Sequence, residues 1–105
     1  MKNYCVNVLP TAQREITDIL NYIATELCSP LAAINLNVAF ANELQRLMKF
    51  PLHGKLLQTK LPLKHVYRWV RVENYMIFYT VDEQAETIHI MHVRFASSDY
   101  LNILT

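Results

Sequence analysis

The sequence predicts an α+β protein with an N-terminal strand, an α-helical hairpin, a three-stranded antiparallel β-meander and a short C-terminal helix. Three observations support this class. Apolar residues recur every three or four positions in residues 12–47, which is the spacing of helices that pack on a core. Aromatic and β-branched residues fill short segments within residues 67–95, as they do in strands. Helices followed by consecutive strands are typical of a helical layer on one face of an antiparallel sheet.

The first half of the chain is predicted to hold one strand and two helices. Tyr4–Leu9 alternates in character and ends at a proline, so we expect a strand there. Thr11 can cap the following helix, whose apolar stripe consists of Ala12, Ile16, Ile19, Leu20, Ile23 and Leu27. Ser29 as N-cap with Pro30 at the first helical position indicates the start of a second helix. Its apolar stripe consists of Leu31, Ile34, Val38, Ala41, Leu44 and Leu47.

An irregular loop and three strands are predicted after the second helix. Residues 51–65 hold a glycine and a proline among scattered leucines, which favours a loop that contains a short strand or turn. The strands are expected at Tyr67–Val72, Tyr75–Val81 and Ile88–Phe95. Asn74 tolerates the left-handed backbone that a tight turn between the first two of these strands requires. Ser97 or Ser98 can cap the last helix, Asp99–Leu104.

The length and composition of the chain exclude several classes of protein. A chain of 105 residues forms a single domain, residues 1–105, that buries an ordinary core without disulfide or metal staples. Its one glycine excludes dinucleotide-binding and P-loop motifs, which need several glycines where backbone meets phosphate. No apolar run approaches the roughly 20 residues that span a bilayer, and Pro10 comes too early for a signal peptide. We therefore expect a cytoplasmic protein without a membrane partner.

The cysteines and histidines give no indication of a metal site. Cys5 and Cys28 are too few for a disulfide framework and lack metal-type spacing, so we interpret them as reduced, buried thiols. His89 and His92 lie three positions apart in a predicted strand, which sends their side chains to opposite faces of the sheet. We therefore expect neither a metal nor a cofactor.

Positive charge is concentrated in the middle of the chain. The net charge of the whole sequence is +1, but residues 44–72 contain no acid. They carry the cations Arg46, Lys49, Lys55, Lys60, Lys64, Arg68 and Arg71. Such a block predicts an anionic partner, either nucleic acid or an acidic protein segment, unless it is a solvated basic loop. His53 and His65 flank the loop and can act as acid or base near neutral pH.

Several quoted stretches resemble the RelE/ParE superfamily of bacterial toxins. "YRWVRVENYMIFYTVDE" and "IHIMHVRFASSDYLNIL" resemble the second half of the family, and "LPTAQREITDILNYIATE" and "ANELQRLMKFPLHGK" are similar to its helical hairpin and the following loop. The likeness covers nearly the whole chain in the same order and spacing. It implies a growth-inhibiting toxin that is encoded beside an antitoxin, which binds and neutralises it.

The resemblance also bears on Arg68 and Arg71, which lie three positions apart in the predicted hairpin. Because side chains alternate along a strand, one guanidinium must point to each face of the sheet. In this family one face packs on the helices and the other, with the basic loop, forms the working surface. One arginine can therefore serve that surface while the other lies at the sheet margin. The assignment depends on whether the turn holds two residues or three.

Ribosome-dependent nucleases of the family cut messenger RNA with basic residues and a C-terminal Tyr or His. The corresponding catalytic candidates in this chain are Arg68, Arg71 and Tyr100. However, Met76 stands where the nucleases have an arginine, and Ala96-Ser97-Ser98 replaces a basic cluster. Since positive groups stabilise the charge that develops on a scissile phosphate, their loss weakens the case for a nuclease.

The loss of nuclease residues favours the ParE-like branch, whose members poison DNA gyrase by binding it. Residues expected to bind the target are Lys55, Lys60, Lys64 and Arg94. A RelE-like ribosome-dependent mRNA endoribonuclease is the alternative, because these cations can supply charge from elsewhere. A non-toxic relative that serves as a binding or regulatory module is a further alternative.

The antitoxin is expected to contact the second helix and the basic segment together. Ala33, Leu36 and Phe40 make a second apolar line on that helix, which two helices over a small sheet would leave exposed as a partner site. The basic segment is complementary to an acidic antitoxin tail. We therefore predict an amphipathic helix or an added strand across these elements that contacts Phe40 and the Lys55–Arg71 region together, unless Phe40 is part of the core.

Overall fold

The computed structural model describes residues 3–98 and 100–104 and confirms the predicted α+β class. Its elements are β1 Cys5–Val8, α1 Pro10–Asn21, a π-helical turn Tyr22–Glu26, α2 Pro30–Lys49, β2 Lys55–Leu56, β3 Arg68–Val72, β4 Tyr75–Asp82, β5 Thr87–Phe95 and α3 Leu101–Leu104. The strands form one sheet in the order β1-β5-β4-β3-β2. β1 runs parallel to β5, and the other neighbours are antiparallel. Asp99, the predicted first residue of the last helix, lies outside the described residues.

The two long helices begin at prolines. Leu9 is the N-cap of α1 and Pro10 is its first residue, where the missing N–H of proline is not needed. The prediction that Thr11 caps this helix is therefore wrong. Ser29 precedes Pro30 at the start of α2 as predicted, although the Ser29 side chain makes no capping hydrogen bond.

The main core lies between the helices and one face of the sheet, called here the helix face. The sheet contributes Val70, Val72, Ile77, Tyr79, Ile88, Ile90 and Val93. The helices contribute Ala12, Ile23, Ala33, Leu36, Phe40 and Leu47. The strand residues mostly recur at every second position and those of α2 every three to seven, so each element buries one face.

The structure reverses the predicted roles of the two apolar lines on α2. Ala33, Leu36 and Phe40, predicted to be left exposed as an antitoxin site, are only 8%, 1% and 3% exposed, so the predicted exposure of this line is wrong. The exposed line instead starts with Leu31 and Ile34, which are 68% and 60% exposed. The reason is continuity: the line through Phe40 continues at helical spacing into Leu44 and Leu47, whereas the other line reaches Gln45.

The turn between β3 and β4 holds two residues, Glu73 and Asn74, because Val72 pairs with Tyr75. The left-handed backbone was predicted at Asn74, but Glu73 adopts it, with a φ of 52°. Arg71 Nε donates a hydrogen bond of 2.8 Å to the carbonyl oxygen of Glu73, which stabilises this conformation.

The opposite face of the sheet, called here the outer face, carries a second and smaller core. Tyr67, Met76, Phe78 and Leu104 are buried there. The connection between β2 and β3, residues 57–67, is called here the long loop. Its Leu57 and Leu63, together with Tyr100, pack against this cluster. The C-terminal segment and the loop therefore cover part of the face that the sequence predicted to be a working surface.

Candidate functional site

Arg68 ties the loop after α2 to the margin of the sheet. It alternates with the buried Val70 and therefore belongs to the helix face. Its Nη1 donates hydrogen bonds of 2.8 Å to the carbonyl oxygen of Gly54 and 3.4 Å to that of Leu52. Arg68 is thus the arginine at the margin, and Arg71 is the exposed arginine of the outer face.

The same loop is held by the Tyr79 hydroxyl. The backbone N–H of Gly54 donates to this hydroxyl over 2.8 Å, and the hydroxyl donates to the carbonyl oxygen of Pro51 over 3.0 Å. Burial raises the pKa of Tyr79, so the hydroxyl keeps the proton that it donates. Gly54 has no room for a side chain, because a Cβ would lie 2.7 Å from Tyr79 Cε1 and 2.9 Å from the carbonyl oxygen of Trp69.

Arg94, predicted to bind the target, is engaged by Glu15 of α1. One Glu15 oxygen lies 3.1 Å from Arg94 Nη1 and 3.3 Å from His92 Nδ1, and the other accepts the backbone N–H of Val93 over 3.0 Å. β1 pairs with β5 only as far as Ile90. Beyond that point Glu15 replaces β1 as the acceptor for a backbone N–H on this edge of β5, that of Val93. Arg94 therefore has its charge neutralised within the fold.

Tyr100 lies over Phe78 on the outer face, with 4.9 Å between ring centroids. Arg71 belongs to the same face, opposite Met76, while Arg68 belongs to the helix face. The structure therefore does not bring together the three catalytic candidates Arg68, Arg71 and Tyr100.

His89 and His92 lie on the same face of β5, contrary to the prediction. The β4–β5 register shifts between Phe78 and Tyr79, so that His89 pairs with Thr80 and His92 with Phe78, two residues apart. Their rings contact separate partners, Asn7 and Glu15. In residues 3–98 and 100–104, no group of three or more His, Cys, Asp or Glu side chains is arranged to hold a metal ion.

Both cysteines are exposed, so the prediction that they are buried is wrong. Cys5 lies on β1, the edge strand, and Cys28 lies in the link between the helices with a φ of 50°. The Cys28 thiol is within 3.4 Å of the carbonyl oxygen of Thr25. The structure assigns neither cysteine to the surfaces described below.

A basic cleft of about 340 Å³ opens between α2 and the edge of β3. It is lined by Glu43, Arg46, His53, Gly54, Lys55, Trp69, Val70 and Arg71. On the edge of β3 that faces away from β4, β2 pairs only with Arg68 and Trp69, so no described strand covers this edge from Val70 onward. Lys55 Nζ lies 5.5 Å from the centre of the Trp69 ring, a cation–π contact.

Arg46 and Glu43 are site residues that the sequence pattern does not single out, although Arg46 is one of the cations of the central basic block. Both lie on the last turns of α2 and line the basic cleft. Their spacing of three places them on neighbouring positions of the helix surface. This spacing is the sequence signal from which the pair could have been identified. Lys60 and Lys64, two of the predicted target-binding residues, are exposed in the long loop.

An apolar groove of about 710 Å³ lies at the other end of the helical layer. Three of its lining side chains, Tyr22, Leu27 and Phe95, are about half exposed. On α2 the groove is lined by Ala32 and Leu36, whereas Leu31, Ile34 and Val38 form a separate exposed line. The groove and this line are two exposed apolar areas of the protein.

The fold and these surfaces define a small α+β protein of the RelE/ParE type. Residues 6–100 match the sequence model described as "ParE toxin of type II toxin-antitoxin system, parDE". The chain therefore belongs to this family of toxins. Among proteins with curated sequences, no significant match was found.

Two of the solved structures that are similar to this chain come from toxin–antitoxin systems. One is the toxin–antitoxin complex RelBE2 from Mycobacterium tuberculosis, with 28% identity, a TM-score of 0.60, and coverage of 89% of this chain and 98% of that chain. The other is the chromosomal ParDE system from P. aeruginosa, with 14% identity, a TM-score of 0.70, and coverage of 90% and 97%. At 14% identity, the similarity to the ParDE structure is a similarity of fold alone. No helix within the described residues is long and apolar enough to cross a membrane.

Proposed function

We propose that this toxin inhibits growth by binding DNA gyrase and that it does not cut messenger RNA. The observation that carries the proposal is the engagement in the fold of Arg68, one of the candidate nuclease groups, and of Arg94, which could have supplied charge from elsewhere. Arg68 holds the carbonyl groups of Gly54 and Leu52, and Arg94 is paired with Glu15. A nuclease needs positive groups that are free to meet the charge developing on a scissile phosphate.

The outer face supports the same proposal. Tyr100 packs on Phe78 within the second core, and Met76 is buried between the positions of Arg71 and Arg94 in neighbouring strands. The neighbouring positions Arg71, Met76 and Arg94 therefore offer one guanidinium without an ion pair and one methionine. Catalysis requires several charged groups at such a place. Gyrase binding needs no such cluster, and because gyrase is a cytoplasmic enzyme, the proposal also implies a cytoplasmic toxin.

A RelE-like ribosome-dependent endoribonuclease is the second candidate. It is favoured by the placement of Arg71 and Tyr100 on one face and by the 28% identity to a RelBE2 complex. In that case Arg71, Tyr100 and the exposed lysines would supply the chemistry. A non-toxic relative is the third candidate, and strong induction without antitoxin would then leave growth unimpaired.

Toe-printing of ribosomes that carry a defined messenger RNA separates the first two candidates. With purified toxin at concentrations that stop growth, we expect no new cuts in the ribosomal A site. A RelE-type nuclease of known activity is the positive control. Cuts that appear with this protein and disappear in Arg71→Ala would overturn the gyrase proposal.

The antitoxin surface is proposed to be the exposed line Leu31, Ile34 and Val38 together with the apolar groove. An amphipathic antitoxin helix fits this surface because the line has helical spacing and lies on one side of α2. The acidic tail of the antitoxin would then reach the basic segment, residues 44–72, where opposite charge speeds association.

Replacing Leu31, Ile34 and Val38 together by serine is expected to weaken antitoxin binding by about a hundredfold or more, because central apolar contacts dominate interfaces. The stability of the toxin should change little, since these side chains are 52–68% exposed. Isothermal titration with the product of the neighbouring gene measures the effect. Val66→Ser is the matched control, since Val66 is 76% exposed and lies in the long loop. Unchanged affinity in the folded triple variant would show that the surface is wrong.

A further inference from the structure

The basic cleft gathers three cations that the fold does not neutralise. Arg46, Lys55 and Arg71 line it, and none of them forms an ion pair with another residue of the described chain. Arg71 uses only Nε for its bond to Glu73, so both of its terminal nitrogens remain available. Trp69 restrains Lys55 at the wall of the cleft through the cation–π contact.

The inner part of the cleft holds a carboxylate whose hydrogen bonding is incomplete. Glu43 Oε1 is buried without a hydrogen-bond partner among the described residues, and His53 Nε2 lies 3.8 Å away. A buried oxygen in this state calls for a donor. The cleft therefore sets three cationic side chains against this one carboxylate.

We propose that the basic cleft binds a phosphodiester of duplex DNA. α2 and β3 each contribute an arginine to the lining of the cleft, Arg46 and Arg71, and guanidinium groups match phosphate oxygens through paired hydrogen bonds. Lys49, Lys60 and Lys64 belong to the same basic segment and are exposed, which extends the positive field for a polyanion. The choice of DNA rests on the proposed function, since gyrase holds DNA and a bound toxin lies beside it.

Fluorescence anisotropy with a fluorescein-labelled 20-bp duplex tests the proposal without gyrase. For Arg46→Ala/Arg71→Ala we expect binding weakened at least about tenfold, since hydrogen bonds to charged groups are strong. The slope of log affinity against log salt should also become shallower by about 1.8 for two lost phosphate contacts. Arg14→Ala is the matched control, because Arg14 is exposed on α1 outside the cleft, and it should bind as the parent does.

Trp69 provides a second measurement that needs no variant. It is the only tryptophan of the chain and lines the cleft, so its fluorescence should change as unlabelled duplex is added. Single-stranded DNA and RNA of the same sequence are further arms, and weaker binding of both than of duplex supports the choice of ligand.

Three results would overturn the proposal: equal affinity of the parent and the double variant, a Trp69 signal that does not respond, or tighter binding of a glutamate-rich peptide than of DNA. The last would identify the cleft as a site for an acidic protein segment. Because gyrase is absent from the assay, a failure of the gyrase proposal leaves these measurements unaffected.

Discussion

Replacing Glu15 by alanine is expected to lower the free energy of unfolding by about 2–4 kcal/mol. The carboxylate is only 15% exposed and meets Arg94, His92 and the backbone N–H of Val93. Its removal leaves a partly buried guanidinium and a strand-edge N–H without an acceptor, which costs more than the net value of the bonds. Urea denaturation followed by circular dichroism measures the change, provided that the slope m stays constant.

Two further variants separate the charge of Glu15 from its position. Glu15→Gln keeps an acceptor for Val93 but loses the attraction to Arg94, so we expect about half of the loss. Asp18→Ala, three residues along α1 at an exposed position, should stay within about 0.5 kcal/mol of the parent. If Glu15→Ala is as stable as Asp18→Ala, then Glu15 does not hold β5 and the reason given for the engagement of Arg94 fails.

Gly54→Ala is also expected to lower the free energy of unfolding by about 2–4 kcal/mol. The new Cβ would meet the Tyr79 ring and hydroxyl and the backbone oxygen of Trp69. Because a backbone atom and a buried ring cannot both move away, the loop must shift and weaken the bonds from Arg68 and Tyr79. This loss is a large part of the roughly 5–15 kcal/mol that stabilises a typical domain.

The thermal midpoint of Gly54→Ala, together with that of Thr17→Ala as an exposed control on α1, measures this effect. Tyr79→Phe removes the hydroxyl and should partly relieve the clash, so the double variant should lose less than the sum of the two single variants. Strict additivity of the two changes would contradict the contact between Gly54 and Tyr79.

Local signals predicted most of the fold. Pro10 and Pro30 mark the helix starts, and the strand predicted at Tyr67–Val72 is found at Arg68–Val72. Alternation and proline act over a few residues, so they can be interpreted without knowing the partners of a segment. The apolar lines of α2 were harder, because both have helical spacing and only their continuation towards Leu47 distinguishes the buried one.

The site depended on contacts that the sequence does not reveal. Arg94 meets Glu15, which lies 79 positions away, and Arg68 meets the carbonyl oxygen of Gly54, 14 positions away. A single extra residue in β5 places His89 and His92 on one face, and periodicity alone could not locate that bulge. The charge pattern predicted a basic surface, but which cations are free follows only from these long-range pairings.

The accumulation of cleaved DNA by gyrase is the most direct test of the proposed mode of action. Purified toxin is incubated with gyrase, ATP and plasmid, and linear DNA is measured after the protein is removed with detergent and protease. We predict that linear DNA increases with toxin concentration, that supercoiling falls, and that prior addition of the antitoxin abolishes both effects. Normal supercoiling without linear DNA, at toxin concentrations that stop growth, would contradict the account.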